Sequence, residues 1–166
     1  MTLTPRERLR AALDHREPDR APFDLGSTQV TGIASRAQRR LRARLGLPDA
    51  PARISDRVQQ LDHLEEDLLR ALEVDTRGLW PWNARNAPIE ERDDAAHRSH
   101  VDEWGLTYRI PSEGGLWYDL AASPLALGAL TRERIDAHPW PRGDDPRQFV
   151  RLRAEAEAHR KAGHAV

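Results

Sequence analysis

A carboxylate and two hydroxyls leave the end of a short apolar stretch in the run Asp24-Leu25-Gly26-Ser27-Thr28. Asp24, placed there, can serve as an acid, a base or a binder, and Ser27 and Thr28 can equally cap a helix or close a turn. Arg77 lies among apolar neighbours in the stretch 74–80, where an unpaired charge is costly, so it either reaches out of a sheet or meets an anion. Trp80 is one of five tryptophans, with Trp82, Trp104, Trp117 and Trp140, and none of them falls in a helical stripe. Their broad, stiff rings with one polar N–H can wall a pocket for a flat or apolar ligand, or pack beneath long loops. Asp24, Ser27, Thr28, Arg77 and Trp80 are therefore the candidate substrate-binding residues, and no catalytic residue stands out.

Two other clusters carry less chemistry. His97, His100, Asp102 and Glu103 are metal-ligating types, but their spacing matches no strong motif, so no metal site is assigned. Arg36, Arg39, Arg40, Arg42 and Arg44 could grip phosphates or carboxylates. On a helix whose other side is Ala37, Leu41 and Leu45 they read as a solvated face.

The elements that must position these residues follow from periodicity and punctuation. Thr4, Pro5 and Glu7 form a capping box with proline at the first helical position, opening a helix that ends near Asp14. Pro18 and Pro22 prevent its continuation, and residues 21–25 read as a short buried strand. A second helix follows from Ala34 to Leu45, stopped by Gly46. Asp56 and Gln59 suggest another capping box ahead of Leu61, Leu64, Leu68, Leu69 and Leu72, with Glu66 and Arg70 as an i,i+4 pair. Residues 75–80 read as a second strand, side by side and parallel with the first, because helices connect them. The stretch 81–99 reads as an irregular loop, and alternation over 103–120 predicts an inserted hairpin with one apolar face. Asp145 and Pro146 open a last helix with Phe149, Leu152 and Ala156 on its buried side, and Gly163 ends it. Residues 164–166 then read as the start of a strand in a chain that looks cut.

Composition bounds the answer without naming it. The 166 residues carry 26 Lys+Arg against 27 Asp+Glu, a formal net charge of −1, so nothing in the global charge draws nucleic acid. The absence of cysteine excludes disulfide scaffolds and thiol catalysis within the chain and makes the cytoplasm the default location. The N-terminus has no apolar core and no stretch reaches membrane-spanning length, so no membrane partner is expected.

The order Thr-Pro-Arg-Glu-Arg-Leu at 4–9, Glu-Pro-Asp-Arg-Ala-Pro at 17–22, Asp-Leu-Gly-Ser-Thr at 24–28 and Thr-Gly-Ile at 31–33 resembles the N-terminal part of the uroporphyrinogen decarboxylase family, in its methyltransferase-like branch. Val-Asp-Thr-Arg-Gly-Leu-Trp-Pro at 74–81, Asp-Glu-Trp-Gly at 102–105, Tyr-Asp-Leu at 118–120, Ser-Pro-Leu at 123–125 and Pro-Trp-Pro at 139–141 continue the pattern. The resemblance implies an α/β fold, the N-terminal half of a TIM (β/α)8 barrel with an inserted hairpin at 101–121, and a ligand cleft at the C-terminal ends of the strands. It implies methyl transfer involving a corrinoid protein, or decarboxylation of a tetrapyrrole. Where the decarboxylases carry an arginine-rich motif after the first strand, this chain has Gly26-Ser27-Thr28-Gln29-Val30-Thr31-Gly32-Ile33, which favours methyl transfer. Zinc and a corrinoid are the cofactors this implies for a longer protein, with none held by these residues. On this reading the chain alone is inactive and self-associates through uncovered strands, and a non-catalytic half-barrel that pairs with another chain is the alternative.

Overall fold

The computed structural model describes residues 2–81, 89, 91–126 and 128–166, and the chain divides into two compact units. The first comprises Met1–Ser55, Leu61–Pro81 and Phe149–Val166, and the second Asp56–Gln60 and Trp82–Gln148.

In the first unit, helix α1 spans Pro5–Leu13 and begins as the sequence requires. The Glu7 amide donates to Thr4 Oγ1 at 3.3 Å, and the Thr4 amide donates back to Glu7 Oε2 at 2.9 Å. Helix α2, Ser35–Arg44, lacks a side-chain cap and ends into Gly46, whose φ of +69° a side chain would strain. Helix α3, Glu66–Ala71, buries Leu68 and Leu69. Helix α5, Leu152–Lys161, leads through Gly163 to Ala165, which forms an isolated parallel bridge with Thr76.

Much of this unit's interior is polar. Ala11, Leu61, Leu68, Leu69, Val74 and Ala165 are buried, and so are Arg8, Gln38, Arg42, Asp62, Asp75 and Arg77. The Asp75 side chain is 0 % exposed and accepts from the guanidinium of Arg8, from Arg20 at 2.7 Å and from the Phe23 amide at 2.8 Å. Arg8 also grips Asp19 through two bonds of 2.7 and 2.9 Å. The buried Arg8 and Asp75, with the partly exposed Arg20 and Asp19, thus tie α1, the segment near Phe23 and the segment around Asp75 together, because a buried charge must be paired.

Strands β1, Ile54–Asp56, and β2, Leu61–Asp62, form a two-stranded ribbon. In the second unit β3 (Arg92–Asp93), β4 (His97–Val101), β5 (Thr107–Pro111) and β6 (Asp119–Ala122) build one sheet in sequence order. All of its pairings are antiparallel, with His100 opposite Tyr108 and Arg98 opposite Ile110. Ile110, Tyr118 and His100 are buried in this unit. Helix α4, Arg132–Ala137, is capped by Thr131.

The half-barrel expectation is overturned. Both sheets among the described residues are antiparallel and small, and neither 21–25 nor 75–80 forms a strand ladder. Those two stretches are joined by the bond from the Asp75 amide to the Phe23 carbonyl, 2.9 Å, by the Asp75 side chain and by the bond from the Thr76 hydroxyl to Asp24. Pro22 removes a backbone donor from the first stretch and Gly78 weakens the second, and neither sustains a ladder. The helix expected from Asp56 begins only at Glu66. Asp56 does accept the Gln59 amide at 2.9 Å, but the cap closes a turn in which Gln60 takes a φ of +56°. The expected inserted hairpin is instead half of a four-stranded sheet. Its second strand lies at Asp119–Ala122, and part of the expected loop, His97–Val101, is a strand. The last helix is interrupted between the 3-10 turn Pro146–Gln148 and α5, and Phe149 is exposed rather than buried.

Candidate functional site

A cavity of about 250 Å³ lies within the first unit, where α3, α5, the loop at Gly26 and the stretch 76–80 meet. Arg53, His63, Glu66, Thr76, Trp80 and His159 line it, with Arg77 and Gly78 between them. The ribbon sets Arg53 and His63 against each other, since the His63 amide donates to the Arg53 carbonyl at 2.7 Å. Gly78 brings the walls close. A Cβ there would sit 2.6 Å from the Ser27 carbonyl oxygen and 2.8 Å from Trp80 Nε1, so the loop and the indole can approach only past a hydrogen.

Arg77 meets an anion supplied by its own chain. Its Nε and Nη2 donate to the Glu66 carboxylate at 2.8 and 3.1 Å, and its Nη1 donates to the Val74 and Thr76 carbonyls at 2.8 and 2.7 Å. Four bonds fix a buried guanidinium as part of the wall. Arg77 and, after the opposing effect of burial, Arg70 hold the Glu66 carboxyl down to about 2.

Asp24 and Ser27 lie together behind the wall. Asp24 accepts from the Thr76 hydroxyl and from Ser27 Oγ, the latter at 2.7 Å. Burial pushes the Asp24 carboxyl up, and the hydroxyls of Thr76, Ser27 and Thr31 together bring it below its ordinary value. This carboxylate organises the loop and the Thr76 hydroxyl. Thr28 is exposed and pairs with Thr31 at 3.2 Å, away from the cavity lining. Of the five candidates, the cavity gathers Arg77 and Trp80, the network behind it holds Asp24 and Ser27, and Thr28 stands apart.

The residues that the sequence did not single out are Arg53, His63, Glu66 and His159. His63 packs edge-on to Trp80, ring centroids 4.9 Å apart at 89°. Its pKa is lowered by burial first and by the Arg53 charge second, so the ring is neutral near pH 7 and offers a donor and an acceptor. Arg53 is 62 % exposed with one 3.3 Å contact to Glu65, which leaves its guanidinium able to turn to a ligand. His164 stands 3.9 Å from Glu66, its pKa also lowered by burial and then by Arg77. The i,i+4 spacing of Glu66 and Arg70 was a signal for one of Glu66's two partners, and their bond is present at 2.8 Å. The other partners come together only through the tertiary fold.

The remaining sequence clusters have separate roles. Arg42 is buried, with 2.7 Å bonds to both Asp67 oxygens and two bonds to the Pro48 carbonyl, while Arg36, Arg39, Arg40 and Arg44 are exposed. The reading of Arg42 as solvated is thus corrected, because its position on α2 faces α3 rather than water. His100 is enclosed between two tyrosines and Asp102 holds the turn at Trp104 and Leu106. Trp104 and Trp140 form a pair at 6.1 Å, Trp117 is exposed, and Trp82 lies outside the described residues. Among the described residues no group of three His, Asp or Glu side chains could hold a metal ion, and the chain has no cysteine. No described helix is long and apolar enough to cross a membrane. Comparison with protein-family models, with curated proteins and with solved structures found no match.

Proposed function

We propose that the first unit binds a small organic anion in the cavity beside His63 and Trp80, in the service of methyl transfer involving a corrinoid carried by a partner protein. The size and lining of the cavity carry the binding part of this reading. About 250 Å³ is just below the roughly 300–1,000 Å³ that takes a drug-sized ligand, and a tetrapyrrole is larger still. Arg53 supplies a movable cation, neutral His63 a hydrogen bond and Trp80 a flat wall, while Glu66 cancels the charge of Arg77. The reaction class comes from the resemblance in sequence order.

The test is a pair of NMR titrations of the chain, followed at the His63 imidazole and the Trp80 indole, with benzoate in one and uroporphyrin in the other. Benzoate is expected to shift both side chains and uroporphyrin neither. If uroporphyrin shifts them and competes with benzoate, tetrapyrrole decarboxylation replaces methyl transfer as the reading. Silence with both compounds refutes the small-molecule site.

A further inference from the structure

His100 sits in β4 directly opposite Tyr108 of β5 and is buried, 3 % exposed. The Tyr108 ring stacks on it at 5.4 Å and 20°, and the Tyr118 ring meets it edge-on at 4.6 Å. Among the described residues its buried Nδ1 has no hydrogen-bond partner, and few charges face the ring. Arg57 and Glu91 are paired at 2.6 Å, the Tyr118 hydroxyl donates to Glu91 at 3.4 Å, and Asp102 follows the end of β4. Burial first, and Arg57 second, make the imidazolium unfavourable there, while Glu91 and Asp102 oppose them less strongly. A second proton on this ring would need a hydrogen-bond acceptor, and two tyrosine rings occupy much of its surroundings.

We propose that His100 is a pH latch of the second unit: β4 and β5 close around the neutral imidazole and loosen when it is protonated. Because the folded ring resists the proton more than an exposed one does, acid favours the open form. The loss begins as the pH falls through the ordinary histidine value of about 6.5 and grows until the folded pKa is passed. Each pH unit in that window reduces the closed population relative to the open one by up to about tenfold. β4 lies between β3 and β5, so both of its ladders are expected to respond.

The latch is tested by amide hydrogen exchange on the full chain between pH 7.5 and pH 5, as a range of conditions of about that width, corrected for intrinsic exchange rates. Residues 97–101 and 107–111 are expected to lose protection across this range, by up to about thirtyfold. In His100→Phe, which keeps a flat ring but cannot titrate, the loss should vanish. Arg57→Gln and Glu91→Gln supply a charge control that a packing role would not reproduce. Removing the cation should make the acid loss of protection smaller, and removing the anion should make it larger. Unchanged protection in the parent chain, a loss that persists in His100→Phe, or a change in the same direction in Arg57→Gln and Glu91→Gln would overturn the proposal. If His100→Phe does not fold, the two charge variants still decide it.

Discussion

Asp75→Asn removes one of the two carboxylates that neutralise Arg8 and Arg20 while keeping the shape of the side chain. Asp75 is 0 % exposed, and the Arg8 side chain is 5 % exposed, so neither of these groups can turn to water. Before the change Asp19, Asp75, Arg8 and Arg20 sum to zero charge, and afterwards to +1. Leaving a buried ion without its partner costs about 3–5 kcal/mol. The lower end applies here. Arg8 keeps both bonds to Asp19, and Arg20, 37 % exposed, can swing outward. The expected loss is therefore about 3 kcal/mol, or roughly 6–12 °C in Tm for a chain of this length. Thermal and urea unfolding followed by circular dichroism would measure it. Adding Arg20→Ala should recover part of the loss, since the group returns to zero charge, and a double-mutant cycle should give a coupling of about 1 kcal/mol. A Tm within about 2 °C of the parent for Asp75→Asn, or strict additivity of the two changes, would refute the view that this network holds the first unit.

The other expectations concern the cavity. Glu66→Gln should destabilise the chain at neutral pH, and the gap from the parent should be full above about 4.5 and close as pH falls towards 2, because the folded carboxyl titrates below the unfolded one. Screening at a side chain 43 % exposed reduces the size to about 1–2 kcal/mol, read from urea midpoints at several pH values. Gly78→Ala should cost about 1–3 kcal/mol and change the Trp80 indole resonance, since the new methyl meets the Ser27 backbone and Trp80 Nε1; an unchanged resonance would contradict the close approach. Arg53→Gln should raise the His63 pKa, because the Arg53 charge is one of the two effects that lower it, and an NMR titration of the ring would show a fall or no change if the geometry is wrong.

Local signals were legible in the sequence where the relevant partners are neighbours along the chain. The capping box of Thr4 and Glu7, the break at Gly46 and the Glu66–Arg70 pair all involve residues within five positions or a single backbone angle. Sheet membership was less legible. The run His97-Arg98-Ser99-His100-Val101 has no apolar alternation, yet it is a strand because β5 offers it a five-residue partner. Conversely, residues 21–25 and 74–80 have the apolar content of buried strands, but proline and glycine leave only scattered backbone bonds. Asp75 drew no attention because a carboxylate between Val74 and Thr76 gives no sign of the two arginines, 55 and 67 residues away, that neutralise it.

Arg77 shows how one physical premise can be met in two ways. A guanidinium among apolar neighbours does require an anion, but the requirement says nothing about whether the anion is a ligand or a side chain. Glu66 satisfies it from α3, and two backbone carbonyls take most of the remaining donors, so an incoming anion would have to displace Glu66 to reach Arg77. Arg53 faces no such competitor beyond one long contact with Glu65. It sits opposite His63 on the ribbon, at the same cavity as Trp80. On the proposed reading, recognition of an anion rests on Arg53, which only the fold brings to the site. Arg77 then acts as a positioning residue: with Glu66 it ties α3 to the stretch that carries Thr76, Gly78 and Trp80, and so keeps the wall in place.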